Sequence, residues 1–68
     1  MPDIGEIIKY IREEQGYSQG DVAEWSGVYR KTVGEIERTG RGTITNVEKI
    51  LGVLGYELEV VPKDGREA

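Results

Sequence analysis

Neither cysteine nor histidine occurs among the 68 residues. A disulfide framework and a zinc-finger ligand set are excluded, and a reducing cytoplasm is the expected setting. Long apolar runs are missing as well. None approaches the roughly 20 residues that span a bilayer, and no stretch resembles a signal peptide, so a soluble, cytoplasmic chain without a membrane partner is expected. There is no phosphate-binding glycine loop, no metal-ligand spacing and no nucleophile beside a base. These absences predict no enzymatic activity, no cofactor, no metal and no small-molecule substrate. The length allows one domain. A chain this short buries only about 60% of its unfolded surface, so it needs well-formed helices or a partner subunit for stability.

What is present is mostly helical in period. Ile4, Ile7, Ile8 and Ile11 follow i, i+3, i+4, i+7, with Asp3 placed as N-cap and Gly16 as stop, which predicts a first helix. Ser18 caps a second helix over about 19–25, with Asp21 as its partner three residues on. A third helix is predicted over about 30–37, ended by the glycine-rich stretch 39–42. Thr43 caps a fourth, whose stripe of Ile44, Val47, Ile50, Leu51 and Leu54 closes the core before Gly55. Gly34 and Gly52 fall inside these helices, where each costs up to ~1 kcal/mol relative to alanine. Tight packing explains either one; for Gly34 close approach to DNA is the alternative.

The stretch from Ser18 to Glu37 is the most specific. Ala23, Gly27, Val33 and Ile36 are the small and apolar pins that two short helices need to cross over a tight turn. The second of them opens with Arg30, Lys31 and Thr32, side chains suited to phosphates and base edges. This combination reads as a helix-turn-helix, a DNA-binding unit. A net charge of −4 argues against DNA at first sight. The distribution reverses that impression. Between Arg30 and Arg41 four basic residues oppose two acidic ones, so the proposed reading element is the basic part of an acidic chain. Plain alternation of charges on solvated faces is the competing account.

Near the end the period changes to two. Tyr56, Leu58 and Val60 alternate with Glu57, Glu59 and Val61 until Pro62, the pattern of a half-buried strand. A lone strand leaves its N–H and C=O groups without partners, and no second segment here has strand character. The expectation is therefore a homodimer in which two 56–61 strands pair antiparallel about a two-fold axis, burying Tyr56, Leu58 and Val60. A frayed extended tail is the alternative. The resulting division is a helix-turn-helix domain over 1–55, a dimerising strand over 56–62 and a disordered tail over 63–68.

Gln19, Val22, Ala23, Gly27, Val28, Arg30 to Val33, Ile36, Glu37, Ile50, Leu51 and Leu54 together form a recognisable pattern. In these residues the chain resembles the Cro/repressor-type (XRE-like) helix-turn-helix family, whose domain corresponds to residues 4–54. The ending LGYELEVVPK resembles the C-terminal strand of HipB-like antitoxins, which pairs between subunits. The fold this resemblance implies is mainly α, a four-helix lambda-repressor-like domain, here with one C-terminal β-strand pairing across a homodimer.

The resemblance also implies roles. Gln19 aligns with a phosphate-contacting glutamine, which also suits the positive end of a helix dipole. Tyr29 stands where the family has Ser or Thr, so its hydroxyl reaches a phosphate or its ring packs. Arg30 and Lys31 align with base-reading positions, where they would donate to guanine O6 and N7. Thr32 would meet a phosphate or a thymine methyl, and Glu35 would accept from cytosine N4 or repel wrong sequences. Arg38 and Arg41 are expected on phosphates, although Arg38-Thr39 replaces the family's Asn-Gly in that loop. Glu37 is expected to pair with Arg12 as a structural ion pair.

The implied function is a sequence-specific double-stranded-DNA-binding transcriptional regulator, a repressor acting as a two-fold dimer on a pseudo-palindromic operator. An antitoxin or adaptor is the alternative. Its acidic surface, including Glu13, Glu14, Asp21 and Glu24, would dock a basic toxin protein, with DNA binding serving autoregulation. Trp25 would then be a partner anchor; otherwise it is a half-buried helix residue.

Overall fold

Three of the four helices begin where a side chain at the N-cap takes one of the first free N–H groups. The computed structural model describes residues 2–63, so the expected tail lies, from residue 64 onward, outside the described residues. Four helices follow in order: α1 (Ile4–Glu14), α2 (Gln19–Ser26), α3 (Arg30–Thr39) and α4 (Ile44–Leu54). At α1 the Asp3 carboxylate accepts from the Glu6 N–H at 3.0 Å, and Glu6 accepts from the Asp3 N–H at 3.2 Å. Ser18 and Asp21 make the same reciprocal pair at α2, both bonds at 3.0 Å. Thr43 accepts from the Asn46 N–H at 3.1 Å to open α4. Each cap stabilises its helix by about 1 kcal/mol.

The C-terminal ends are also closed. Gly16 and Tyr17 donate back to Glu13 and Arg12 of α1, and Gly55 and Tyr56 donate back to Gly52 and Leu51 of α4, satisfying carbonyls that would otherwise be free.

Packing follows from the apolar stripes. α3 lies against α1 and α2, and α4 lies against α2 and α1. Ile8, Val22, Val28, Val33, Ile36, Val47, Ile50, Leu51 and Leu54 meet in one buried cluster, with Ile4, Ile11, Tyr17 and Ala23 at its edge. α1 and α3 approach so closely that a Cβ on Gly5 would overlap the carbonyl oxygen of Ile36. Gly42, past the end of α3, has a similar constraint: its Cβ would lie 2.6 Å from Ile36 Cγ1.

Two expectations change. Ile44 is 71% exposed and not part of the closing stripe, because it stands in the first turn of α4, where helical side chains point back beyond the helix end. Ile7 is partly exposed, and the buried face of α1 runs instead through Gly5, Ile8 and Arg12. The strand expected over residues 56–61 forms only against a second copy. No strand is formed among the described residues: Tyr56, Leu58 and Val60 are all exposed, Val60 at 99%. A strand exists only against a partner, and among the described residues this segment has none.

Candidate nucleic-acid interface

The α2–α3 unit is set by its turn. Gly27 has φ +78°, a left-handed conformation that a side chain would strain, and its N–H donates to Ala23 O at 3.0 Å. The Ser26 hydroxyl accepts from the Val28 N–H at 3.1 Å, and Val28 is buried in the core. Tyr29 then occupies the N-cap of α3 without any side-chain cap bond and is 83% exposed. Its ring does not pack. The first N–H groups of α3 are thus left without a side-chain cap.

Once Val33, Ile36 and Glu37 are buried, the helical period assigns the opposite face. Lys31, Glu35 and Arg38 lie along its centre, all exposed, with Arg30 exposed at the helix start and Thr32 half-buried at one edge. Arg38 Nη2 lies 3.9 Å from Glu35 Oε2, an exposed pair worth at most about 1 kcal/mol, so both side chains are free to exchange it for another partner. Beyond α3 the Thr39 hydroxyl donates to Glu35 O at 2.7 Å and accepts from the Arg41 N–H at 3.1 Å. That hydroxyl shapes the loop in place of Asn-Gly, and it leaves Arg41 exposed. Of the two glycines there only Gly40 has a positive φ; Gly42 is required for space over Ile36.

Behind this face lies a buried polar network. Arg12 meets Glu37 with two bonds, Nε to Oε2 at 2.6 Å and Nη2 to Oε1 at 2.9 Å, and its Nη1 donates to Tyr17 O at 2.7 Å. Both residues are under a tenth exposed. The Arg12 guanidinium is held above its ordinary basicity, first by its hydrogen bonds to Glu37; burial opposes the shift, and the charges of Glu37 and Glu13 add to it. Gln19 joins the network by donating from Nε2 to Glu37 Oε1 at 3.0 Å.

Gln19 therefore has one amide proton engaged by the buried pair, while its side chain borders the groove that Lys31 and Arg38 of α3 also line. Gly34 sits beneath it: a Cβ there would lie 3.4 Å from Gln19 Oε1, an ordinary contact with the end of a flexible side chain, so packing against α2 does not require the glycine. Trp25 is 54% exposed and stands edge-on to Tyr17, ring centres 4.9 Å apart.

Lys9 of α1 went unnoticed in the sequence. It lines one open groove together with Lys31, Gly34, Glu35, Glu37 and Arg38 of α3 and Gln19 of α2. Gly5 and Arg12, four residues before it and three after, both face α3, and that spacing was the available signal.

Two helices crossing at a glycine turn, the second with a basic outward face, define a helix-turn-helix module. A family model described as helix-turn-helix matches residues 8–61, and the chain belongs to that family, in its XRE-like branch. Among solved structures it is similar to the N-terminal DNA-binding domain of SinR from Bacillus subtilis, with a TM-score of 0.73 and 38% identity over 79% of this chain and 81% of that one. Among curated proteins it is similar to HTH-type transcriptional regulatory proteins of Saccharolobus solfataricus and Saccharolobus islandicus, each 40% identical over 53 residues. That alignment takes in 76% of this chain but only 17% of the length of those relatives. No helix among the described residues is long and apolar enough to cross a membrane.

Proposed function

We propose that the chain is a sequence-specific double-stranded-DNA-binding transcriptional regulator that represses by occupying a pseudo-palindromic operator as a two-fold dimer. The observation that carries this reading is the outward face of α3: Arg30, Lys31 and Arg38 stand exposed on a helix whose other face is locked into the core. An α-helix about 10–12 Å across fits the major groove, about 12 Å wide, and would bring those side chains to base edges and flanking phosphates. Arg30 and Lys31 read bases in this scheme, with Glu35 accepting from or repelling them. Tyr29, Thr32, Arg38 and Arg41 hold phosphates. Gln19 has its second amide proton and the N-terminus of α2 to offer a phosphate.

The exposed 56–61 segment supports the dimer. Its apolar side chains and free backbone groups fit pairing with a second copy, which would set two α3 helices about 34 Å apart on successive major grooves. Hydrodynamic mass at tens of micromolar should report a dimer that becomes a monomer when residues 56–68 are deleted. A full-length monomer, or a dimer that survives the deletion, would refute the pairing.

Selection of bound sequences from a random DNA library tests the main reading, and recovery of no enriched motif would overturn it. On the selected operator, Arg30→Ala or Lys31→Ala should lose about 1 to 3 kcal/mol and relax preference at one position per half-site, whereas Arg41→Ala should weaken operator and random DNA equally. Equal losses on both DNAs for all three variants would remove the base-reading assignment.

A further inference from the structure

We infer that Lys9 of α1 is a DNA-backbone contact, its ammonium donating to a phosphodiester on the strand that flanks α3; this rests on the DNA-binding reading above. The argument begins with position. Gly5 touches the backbone of Ile36 and Glu37, and Arg12 bonds Glu37, so the side of α1 between them faces α3. Lys9 is one turn from each and lies on the rim of that contact, exposed, sharing the groove with Lys31 and Arg38. A helix seated in a major groove hardly wider than itself has a phosphate strand along each flank. A cation on the α1 side of α3 therefore stands where one of those strands must pass.

Charge compensation points the same way. Glu37 is committed to Arg12 and Gln19, and Glu35 lies beside Arg38. On α1 itself, Glu6 accepts from the Asp3 N–H and Glu13 lies 3.9 Å from Arg12. Among the described residues Lys9 and Lys31 form no ion pair, which leaves two cations without a direct partner on a groove whose carboxylates, Glu35 and Glu37, lie against Arg38 and Arg12. The amide of Gln19 and the N-terminus of α2 border the same groove, adding donors suited to one phosphate rather than to an enclosed small molecule.

The experiment measures affinity of the full chain for its selected operator and for random DNA over a KCl series, for the parent, Lys9→Ala, Lys9→Gln and Lys9→Arg. Circular dichroism checks that each variant is folded. If Lys9 holds a phosphate, the alanine and glutamine variants weaken both DNAs alike, and the slope of log affinity against log salt falls by about 0.9 for each bound protomer. Per contact, the parent's advantage then shrinks by about threefold between about 50 and about 200 mM salt. Lys9→Arg retains the parent slope. A slope unchanged in Lys9→Ala and Lys9→Gln, with the parent bound to DNA, overturns the inference alone. A parent chain that binds no DNA overturns it together with the proposed function.

Discussion

Glu37→Ala is expected to lower the unfolding free energy by about 3 to 5 kcal/mol, because it strips the buried guanidinium of Arg12 of both its carboxylate bonds. The Gln19 amide loses its acceptor in the same step. For a chain of 68 residues the whole stability is of the order of 3 to 10 kcal/mol, so the variant should be partly or wholly unfolded under mild conditions. The informative comparison is the double variant Arg12→Met, Glu37→Leu. Removing both charges leaves no unpaired ion. The Gln19 amide loses its acceptor in either variant, so the only group newly left without a partner is the Tyr17 carbonyl, about 1 to 3 kcal/mol, against the stranded buried guanidinium of the single variant. The double variant should therefore be more stable than Glu37→Ala. Urea titrations with constant slopes give the comparison, and a Glu37→Ala loss below that of the double variant would show that this pair is not what holds α1 against α3.

The sign of the pH effect follows from the same contact. Arg12 is more basic folded than unfolded, so its contribution is present at every pH below the ordinary arginine range and is lost only as pH rises through the folded value. The pair should thus contribute no pH dependence from Arg12 near neutrality.

How far such contacts could be foreseen depends on their distance in sequence. Helix boundaries were legible because their causes are local: Asp3, Ser18 and Thr43 act within three residues, and Gly27 and Gly40 end helices by their own conformation. α2 runs one residue past its pattern, to Ser26, and α3 two, to Thr39, whose hydroxyl bonds one turn back. Ile44 was misjudged since periodicity identifies a face but not where the core under it ends. Alternation over 56–61 has the same defect, describing a face without naming what covers it. Among the candidate site residues, the exposure of Lys31 and Arg38 follows from the helical period, and that of Arg30 from its place at the helix start. The engagement of Gln19 with Glu37 spans 18 residues, and the place of Lys9 beside α3 depends on how α1 crosses it. Neither is visible before the topology is known.

Gly5 is where local propensity and packing disagree most sharply, and two alanine substitutions should therefore move stability in opposite directions. A glycine within a helix costs up to ~1 kcal/mol relative to alanine, so propensity alone makes both Gly5→Ala and Gly52→Ala favourable. At Gly52, exposed on α4, nothing lies within 4 Å of an added Cβ. There the gain should appear, about 0.4 to 1 kcal/mol, equivalent to a few degrees in Tm. At Gly5 the Cβ would overlap Ile36 O and lie 2.9 Å from Glu37 O. These are backbone atoms of a helix, which cannot rotate aside as a side chain would, so α1 has to withdraw from α3 as a unit. That withdrawal loosens Ile8 in the core and stretches the Arg12–Glu37 bonds. The net loss should be about 3 kcal/mol, the upper part of the range for overpacked cores. Thermal unfolding of the two variants beside the parent decides the matter, and a Gly5→Ala chain as stable as the parent would mean that the close approach of α1 and α3 is not required by the fold.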